Sequence, residues 1–134
     1  MNQKAVFDKL SNFLRNVYSD ITTPPVLDME EYFPAHKDLN ADLDAIRAEV
    51  LKVFEDNPNA PRFHDVVSSQ ERISANDGKN WRIFLVKSYG RFIGKNAEKP
   101  PALTTFITAH PQVTTCNLSY LDPGKHIPAH LGPF

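Results

Sequence analysis

The apolar residues of this chain change their spacing once, near residue 60, and that switch of period limits the folds open to it. Upstream, Val6, Phe7, Leu10, Phe13, Leu14, Val17 and Tyr18 recur at intervals of three and four. The pattern predicts an amphipathic helix over residues 3–18 with one buried stripe. Thr22-Thr23-Pro24-Pro25 ends it and opens an extended stretch through Phe33-Pro34, because each proline pushes the residue before it out of the helical region. A second helix is expected over residues 41–55, with Leu43, Ile46, Val50, Val53 and Phe54 on one face. Asp42 and Asp44 suit its positive N-terminal end, and Asn57-Pro58 stops it. Downstream the pattern turns β-like. Trp81 to Lys87 is rich in aromatic and branched residues and predicts a central strand buried on both faces. Residues 102–109 fit a helix or a strand by period, and a helix is the expectation. Residues 112–121 and 126–131 read as two more strands joined by Asp122-Pro123-Gly124-Lys125, which has the composition of a β-turn. Helices first and strands later is the order of an α+β domain rather than of alternating βαβ units.

A length of 134 residues allows one domain with a real core, 1–134, and excludes two. With 15 Lys and Arg against 16 Asp and Glu, the chain has no basic footprint for phosphate backbones or anionic lipid, so no nucleic-acid partner is expected. Cys116 is the single cysteine, which excludes an intramolecular disulfide and a cysteine zinc cage and fits a reducing compartment. The longest apolar run, Ile83 to Val86, is far too short to span a membrane, and the N-terminus lacks the apolar core of a signal peptide. No membrane partner is expected, and the chain reads as cytoplasmic.

The chemistry concentrates near the C-terminal end. A tight hairpin closed by Asp122 to Lys125 would set Leu121 against His126, Ser119 against Pro128 and Asn117 against His130. One face then carries Cys116, Leu118, Tyr120, Ile127, Ala129 and Leu131, and the other Asn117, Ser119, His126 and His130. In that register Ser119 and His130 are diagonal neighbours at roughly 7–8 Å, close enough to share one small ligand. His126 and His130 do not make a metal pair, since four strand residues span about 13 Å. His126 is read as a strand-edge histidine or as one that supports a ligand residue without binding the metal itself, and His36, His64 and His110 as solvent-facing. Cys116, on the apolar face, is read as a buried inert thiol, and Asp122 as a turn-capping carboxylate. Residue type alone leaves His130 open between a metal ligand and an ordinary histidine near a Gly-Pro turn.

The succession Ser119-Tyr120-Leu121-Asp122-Pro123-Gly124-Lys125-His126-Ile127-Pro128-Ala129-His130-Leu131-Gly132-Pro133 resembles the S-x-L-x-P-G-x-x-I-x-x-H-x-G-P signature of the aspartyl/asparaginyl β-hydroxylase family. Tyr32-Phe33-Pro34, the helix at Ile46 to Val50, Trp81-Arg82-Ile83-Phe84 and Tyr89-Gly90 follow the same family in order, so the resemblance covers about residues 24–134. It implies a non-haem iron(II)- and 2-oxoglutarate-dependent dioxygenase with helices packed on a double-stranded β-helix, the jelly-roll or cupin-like core. By the same resemblance His130 is an iron ligand and Ser119 contacts the 2-oxoglutarate carboxylate, and no further residue is given a catalytic role. Gly132 stands where most iron/2-oxoglutarate enzymes place a carboxylate, which implies a two-histidine site completed by water. The implied reaction couples oxidation of 2-oxoglutarate to succinate and CO2 with hydroxylation of a C–H bond, in a peptidyl Asp or Asn or a small amino-acid-like substrate.

The family's second histidine and its 2-oxoglutarate-binding arginines lie beyond the signature, and Arg72, Arg82 and Arg91 precede it. With about four strands in place of eight, the jelly roll is incomplete. The expectation is therefore the N-terminal part of a longer domain, partnered by its missing C-terminal part, binding iron weakly and not turning over alone. The alternative is a non-catalytic cupin-like module that holds a small carboxylate or a peptide through Ser119 and His130. Arg82, Lys87 and Arg91 are read as solvated charges flanking a strand rather than as a rim for a carboxylate.

Overall fold

The computed structural model of the chain describes residues 3–22 and 24–130. Seven helices, α1 (Gln3–Val17), α2 (Met29–Tyr32), α3 (His36–Ala41), α4 (Leu43–Asp56), α5 (Phe63–Val66), α6 (Glu71–Ser74) and α7 (Pro101–Ala109), accompany three strands among these residues. The strands are β1 (Trp81–Ser88), β2 (Arg91–Phe92) and β3 (Cys116–Leu121), in the order β2-β1-β3 with antiparallel neighbours. The α+β class and the central place of β1 are as the residue pattern predicts. The sheet has three strands, so its architecture is a small antiparallel sheet packed with helices.

One face of the sheet carries the core. Phe84 and Val86 of β1 and Leu118 of β3 pack against Ile46 and Val53 of α4 and Leu103, Phe106 and Ile107 of α7. Burying an aliphatic or aromatic side chain of this kind contributes about 1.5–3 kcal/mol, and this cluster fixes which way α4 and α7 face. The ambiguous stretch from 102 is a helix because Pro101 suits a first turn and Glu49 of α4 caps it across the core. The Ala102 N–H donates to Glu49 Oε1 at 2.8 Å, and the Leu103 N–H donates to Oε2 at 3.3 Å. On the other sheet face Trp81 stacks on Phe63 of α5, with ring centroids 3.9 Å apart and planes 3° from parallel. Tyr89 and Gly90, with φ of 44° and 82°, form the two-residue turn that joins β1 to β2. Positive φ at both positions is what a tight hairpin needs to match the twist of its strands.

Several expectations are corrected. The strand expected at 126–131 is not formed over its described part: residues 125–130 run as an irregular strap, and Leu131 lies outside the described residues. The edge of β3 is given to β1, with Ile83 opposite Ser119 and Phe84 opposite Leu118, so the hairpin register is replaced. The cause is local. Pro128 has no N–H to give a ladder, and the Lys125 and His126 N–H groups donate instead to the Asp122 carbonyl (2.9 Å) and to Asp77 Oδ2 (2.8 Å). The stretch from 22 to 34 is interrupted by α2, which starts because Asp28 accepts the Glu30 N–H at 2.8 Å as an N-cap. The stripe of α1 is not buried, with Phe13 62% and Val17 55% exposed.

The histidines taken as solvent-facing are mostly covered, at 15%, 13% and 17% side-chain exposure for His36, His64 and His110. Each has a polar partner: Glu30 at 3.1 Å from His36, Ser74 Oγ at 2.6 Å from His64, and Asp38 at 3.1 Å from His110. Lys87 is buried rather than solvated, its ammonium 5.3 Å from the centre of the Phe92 ring.

Candidate functional site

Ser119 sits in the middle of β3, on the sheet face shared with Trp81 and Ile83 and opposite the core. Alternation along the strand puts it there, since Leu118 and Tyr120 point to the helices, where Tyr120 meets Phe54 at 5.5 Å between ring centres. The Trp81 indole N–H donates to Ser119 Oγ at 3.3 Å. A hydroxyl has one proton to give and two lone pairs, so this bond leaves the Ser119 proton free for an acceptor such as a carboxylate. Ser119 is exposed.

After β3 the chain turns at Asp122-Pro123-Gly124-Lys125, closed by the 2.9 Å bond from the Lys125 N–H to the Asp122 carbonyl. Gly124 has φ of +71°, and with proline before it this is the type II pattern that the sequence signals. The outgoing strap is fastened to the loop Asn76-Asp77-Gly78-Lys79-Asn80. Asn80 donates to Asp122 Oδ2 from its backbone N–H and its side chain, both at 2.8 Å. The Asp122 carboxylate therefore clasps Asn80 rather than only capping its own turn. Lys79 Nζ donates to the Pro123 and Gly124 carbonyls at 3.0 and 2.9 Å. Asn76 Nδ2 donates to the His126 carbonyl at 3.2 Å. Lys125, its side chain 0% exposed, reaches Asp77 Oδ1 at 2.5 Å and Asn76 Oδ1 at 2.7 Å.

Those contacts set the charges. Lys125 beside Asp77, helped by the His126 N–H, holds the Asp77 carboxyl far below the usual carboxylate range. The Asn80 backbone N–H lowers Asp122 in the same way. Burial pushes the Cys116 thiol up, against a smaller opposite effect from the Lys87 cation, in keeping with an inert thiol.

His130 lies at the end of the described strap and is exposed. Its Nδ1 is 2.8 Å from the Pro128 carbonyl oxygen. A carbonyl can only accept, so Nδ1 carries the proton and donates, and the Nε2 of the neutral ring keeps its lone pair outward. That is the tautomer and second partner that metal-binding histidines commonly have. His126 is exposed and is held through its backbone. With the hairpin replaced, no cross-strand pairing sets Ser119 beside His130, and no hydrogen bond joins them. Among the described residues no three His, Cys, Asp or Glu side chains converge on a point that could hold a metal ion. His130 fits a metal as one donor, but the described residues do not complete a site, and no chemical step is routed through a metal here. A cleft of about 480 Å³ beside β1, between the 56–61 loop and Ile93 and Asn96, is lined by neither residue.

The loop that anchors the strap went unread in the sequence. Its signal is Asn76-Asp77-Gly78-Lys79-Asn80, a polar turn cluster whose Gly78 has φ of +70°.

The chain is similar to known proteins in the region just described. The family model of aspartyl/asparaginyl β-hydroxylase matches residues 40–134, which takes in α4, all three strands, the turn and His130. The ornithine lipid ester-linked acyl 2-hydroxylase of Rhizobium tropici is 32% identical over 117 residues, 87% of this chain. The chain spans 41% of that relative's length. No solved structure matches the chain. On the extent of the family match, the chain belongs to the aspartyl/asparaginyl β-hydroxylase family.

Proposed function

We propose that this chain is part of an iron(II)- and 2-oxoglutarate-dependent hydroxylase that places a hydroxyl on the acyl chain of a lipid, beside its ester carbonyl. His130 Nε2 is the metal donor the chain contributes, and the Ser119 hydroxyl takes a carboxylate of 2-oxoglutarate. The observation that carries the reading is the match to the hydroxylase family over residues 40–134, a span that takes in β1, β3 and the strap, where both residues lie. The proton on His130 Nδ1, spent on the Pro128 carbonyl, supports the role of Nε2. The lipid substrate is favoured by the 2-hydroxylase relative. A peptidyl Asp or Asn is the second reading, favoured by the family's description. The remaining donors, the basic clamp for 2-oxoglutarate and the rest of a jelly-roll core belong to chain beyond residue 134 in this proposal.

The chain's own part in the chemistry is to hold and to orient. The Asn76 to Asn80 loop pins the strap that carries His130, the Pro128 carbonyl fixes its ring, and Trp81 fixes the Ser119 hydroxyl. An iron(II) centre of this class, when bound, supplies activation of O2 at the expense of 2-oxoglutarate. The test uses the protein as its gene encodes it, with iron(II), 2-oxoglutarate and O2, offered either ester-linked acyl lipids or an Asp- and Asn-containing peptide. Succinate matched by a hydroxylated acyl chain, abolished in His130→Ala and weakened through the 2-oxoglutarate KM in Ser119→Ala, is the expected result. Hydroxylation that survives His130→Ala unchanged would overturn the proposal, and peptide hydroxylation alone would replace its substrate.

A further inference from the structure

A second cavity, of about 390 Å³, opens where α4 crosses the sheet, and its walls include Leu51, Phe54, Glu55, Pro58, Arg82 and Tyr120. Its size is that of ordinary small-ligand pockets. Arg82 stands opposite Tyr120 in the pairing of β1 with β3, so both side chains leave the sheet on the face that α4 covers. The Tyr120 ring lies against Phe54 with 5.5 Å between centres, and Glu55 is the next residue of α4. The order along the cavity is therefore cation, two aromatic rings, carboxylate. One guanidinium N–H of Arg82 donates to the Pro58 carbonyl, which pins the side chain and leaves the rest of its planar fork for a ligand.

The charges around the cavity narrow what can fill it. Its neighbours are already paired, Lys52 with Asp56 at 3.1 Å and Arg62 with Asp65 at 3.1 Å. Lys99 donates to Asn57 Oδ1 at 2.6 Å, and Asp122 accepts from Asn80. Among the described residues Arg82 and Glu55 have no ion-pair partner, and they do not pair with each other. A lone carboxylate on Arg82 would leave Glu55 uncompensated, and a lone amine on Glu55 would do the same to Arg82. The α-ammonium of an ordinary amino acid sits beside its carboxylate and does not span the aromatic floor. A carboxylate and an ammonium at opposite ends of a short apolar chain meet all three parts of the site at once.

We infer that this cavity binds a basic amino-acid group of the ornithine or lysine type, its carboxylate on the Arg82 guanidinium, its methylenes on Phe54 and Tyr120, and its terminal ammonium on Glu55. Two sources carry this chemistry, the free amino acid and the same group borne as the head of a lipid. The second rests on the lipid-hydroxylase reading above, while binding of the group itself needs neither metal nor 2-oxoglutarate.

The test is isothermal titration of the protein as its gene encodes it with L-ornithine, L-lysine, pentanoate and n-butylamine, with far-UV circular dichroism as the check on folding. Wild type is expected to bind ornithine or lysine about threefold to fivefold more tightly than either single-charge probe, and less tightly as salt is raised. Glu55→Gln, at an exposed position, should abolish the preference over pentanoate. Arg82→Gln should abolish the preference over butylamine, and Arg82→Lys should recover part of it, keeping the charge without the fork. No saturable binding of ornithine or lysine by wild type, equal binding of pentanoate, or affinity unchanged in both Gln variants would overturn the inference. An ester-linked acyl lipid with an ornithine head, offered in the hydroxylation assay, separates the two sources. A KM raised about threefold to fivefold in both Gln variants assigns the site to the lipid head, and a KM unmoved while ornithine binding is lost assigns it to the free amino acid. Ornithine binding by a protein that hydroxylates nothing counts against the hydroxylase reading and leaves the site standing. Hydroxylation by a protein that binds no ornithine does the reverse.

Discussion

Gly124→Ala tests the turn from which the His130 strap departs. Gly124 has φ of +71°, a conformation that costs an L-residue about 1–2 kcal/mol. A Cβ there would also stand 2.6 Å from Lys79 Nζ, so the ammonium must swing away from the Pro123 and Gly124 carbonyls. Those bonds are exposed, and losing them adds about 0.5 kcal/mol. The sum is about 2 kcal/mol, or a fall in Tm of roughly 5–10 °C for a chain of this size. Urea denaturation followed by the fluorescence of Trp81, the single tryptophan, should show a lower midpoint with an unchanged slope. Gly124→Asn, which tolerates positive φ, should lose less than Gly124→Ala. In a Lys79→Ala background the added cost of Gly124→Ala should shrink by about 0.5 kcal/mol, because the clash and its lost bonds are already gone. A loss under about 0.5 kcal/mol for Gly124→Ala in the native background would refute both the strained turn and the Lys79 clasp.

Other expectations follow from the same packing and charges. Ile107, 1% exposed on the core-facing side of α7, should cost about 3 kcal/mol as Ile107→Ala in the same urea assay, with little cavity collapse. Glu49→Gln weakens and Glu49→Ala removes the acceptor of the Ala102 and Leu103 N–H groups, and the Ala variant should lose about 1 kcal/mol, read as the same midpoint shift. Asp77 and Asp122 have carboxyl pKa values lowered by folding, so at neutral pH both contribute their full stabilisation. As pH falls through about 4 the unfolded chain takes up protons first, and stability should drop until the folded carboxyls protonate too. Urea midpoints measured from about pH 6 to about pH 3 should therefore fall more steeply for wild type than for Asp77→Asn/Asp122→Asn, which should already be the less stable at neutrality.

The elements that could be read from residues alone are those set by local signals. The spacing of Ile46, Val50 and Val53 marks α4, the branched and aromatic run of β1 marks a strand buried on both faces, and Pro123-Gly124 marks the turn. What the pattern missed depends on distant partners. An extended strap and a paired strand share the same alternation, so residues 126–131 looked like a strand. The Lys125 and His126 N–H groups found the Asp122 carbonyl and the Asp77 carboxylate instead of a ladder. The amphipathic spacing of α1 correctly marks a helix but says nothing of what its stripe meets. His36 and His110 looked like loop histidines because their partners, Glu30 and Asp38, are recruited by the folding back of short helices. Lys87 is covered because the turn at Tyr89-Gly90 lays Phe92 over it. Of the site, Ser119 and His130 were legible as residues. The clasp that holds the strap was not, since Asp77 and Lys125 are separated by 48 positions.

The most direct measurement is anaerobic iron(II) titration of wild type, His130→Ala and His126→Ala, with bound metal read by competition against a chromogenic chelator. Weak uptake by wild type, reduced about tenfold or more in His130→Ala and unchanged in His126→Ala, is the expected result. Equal uptake by wild type and His130→Ala, or a loss that follows His126 instead, would contradict the assignment of the metal donor to His130.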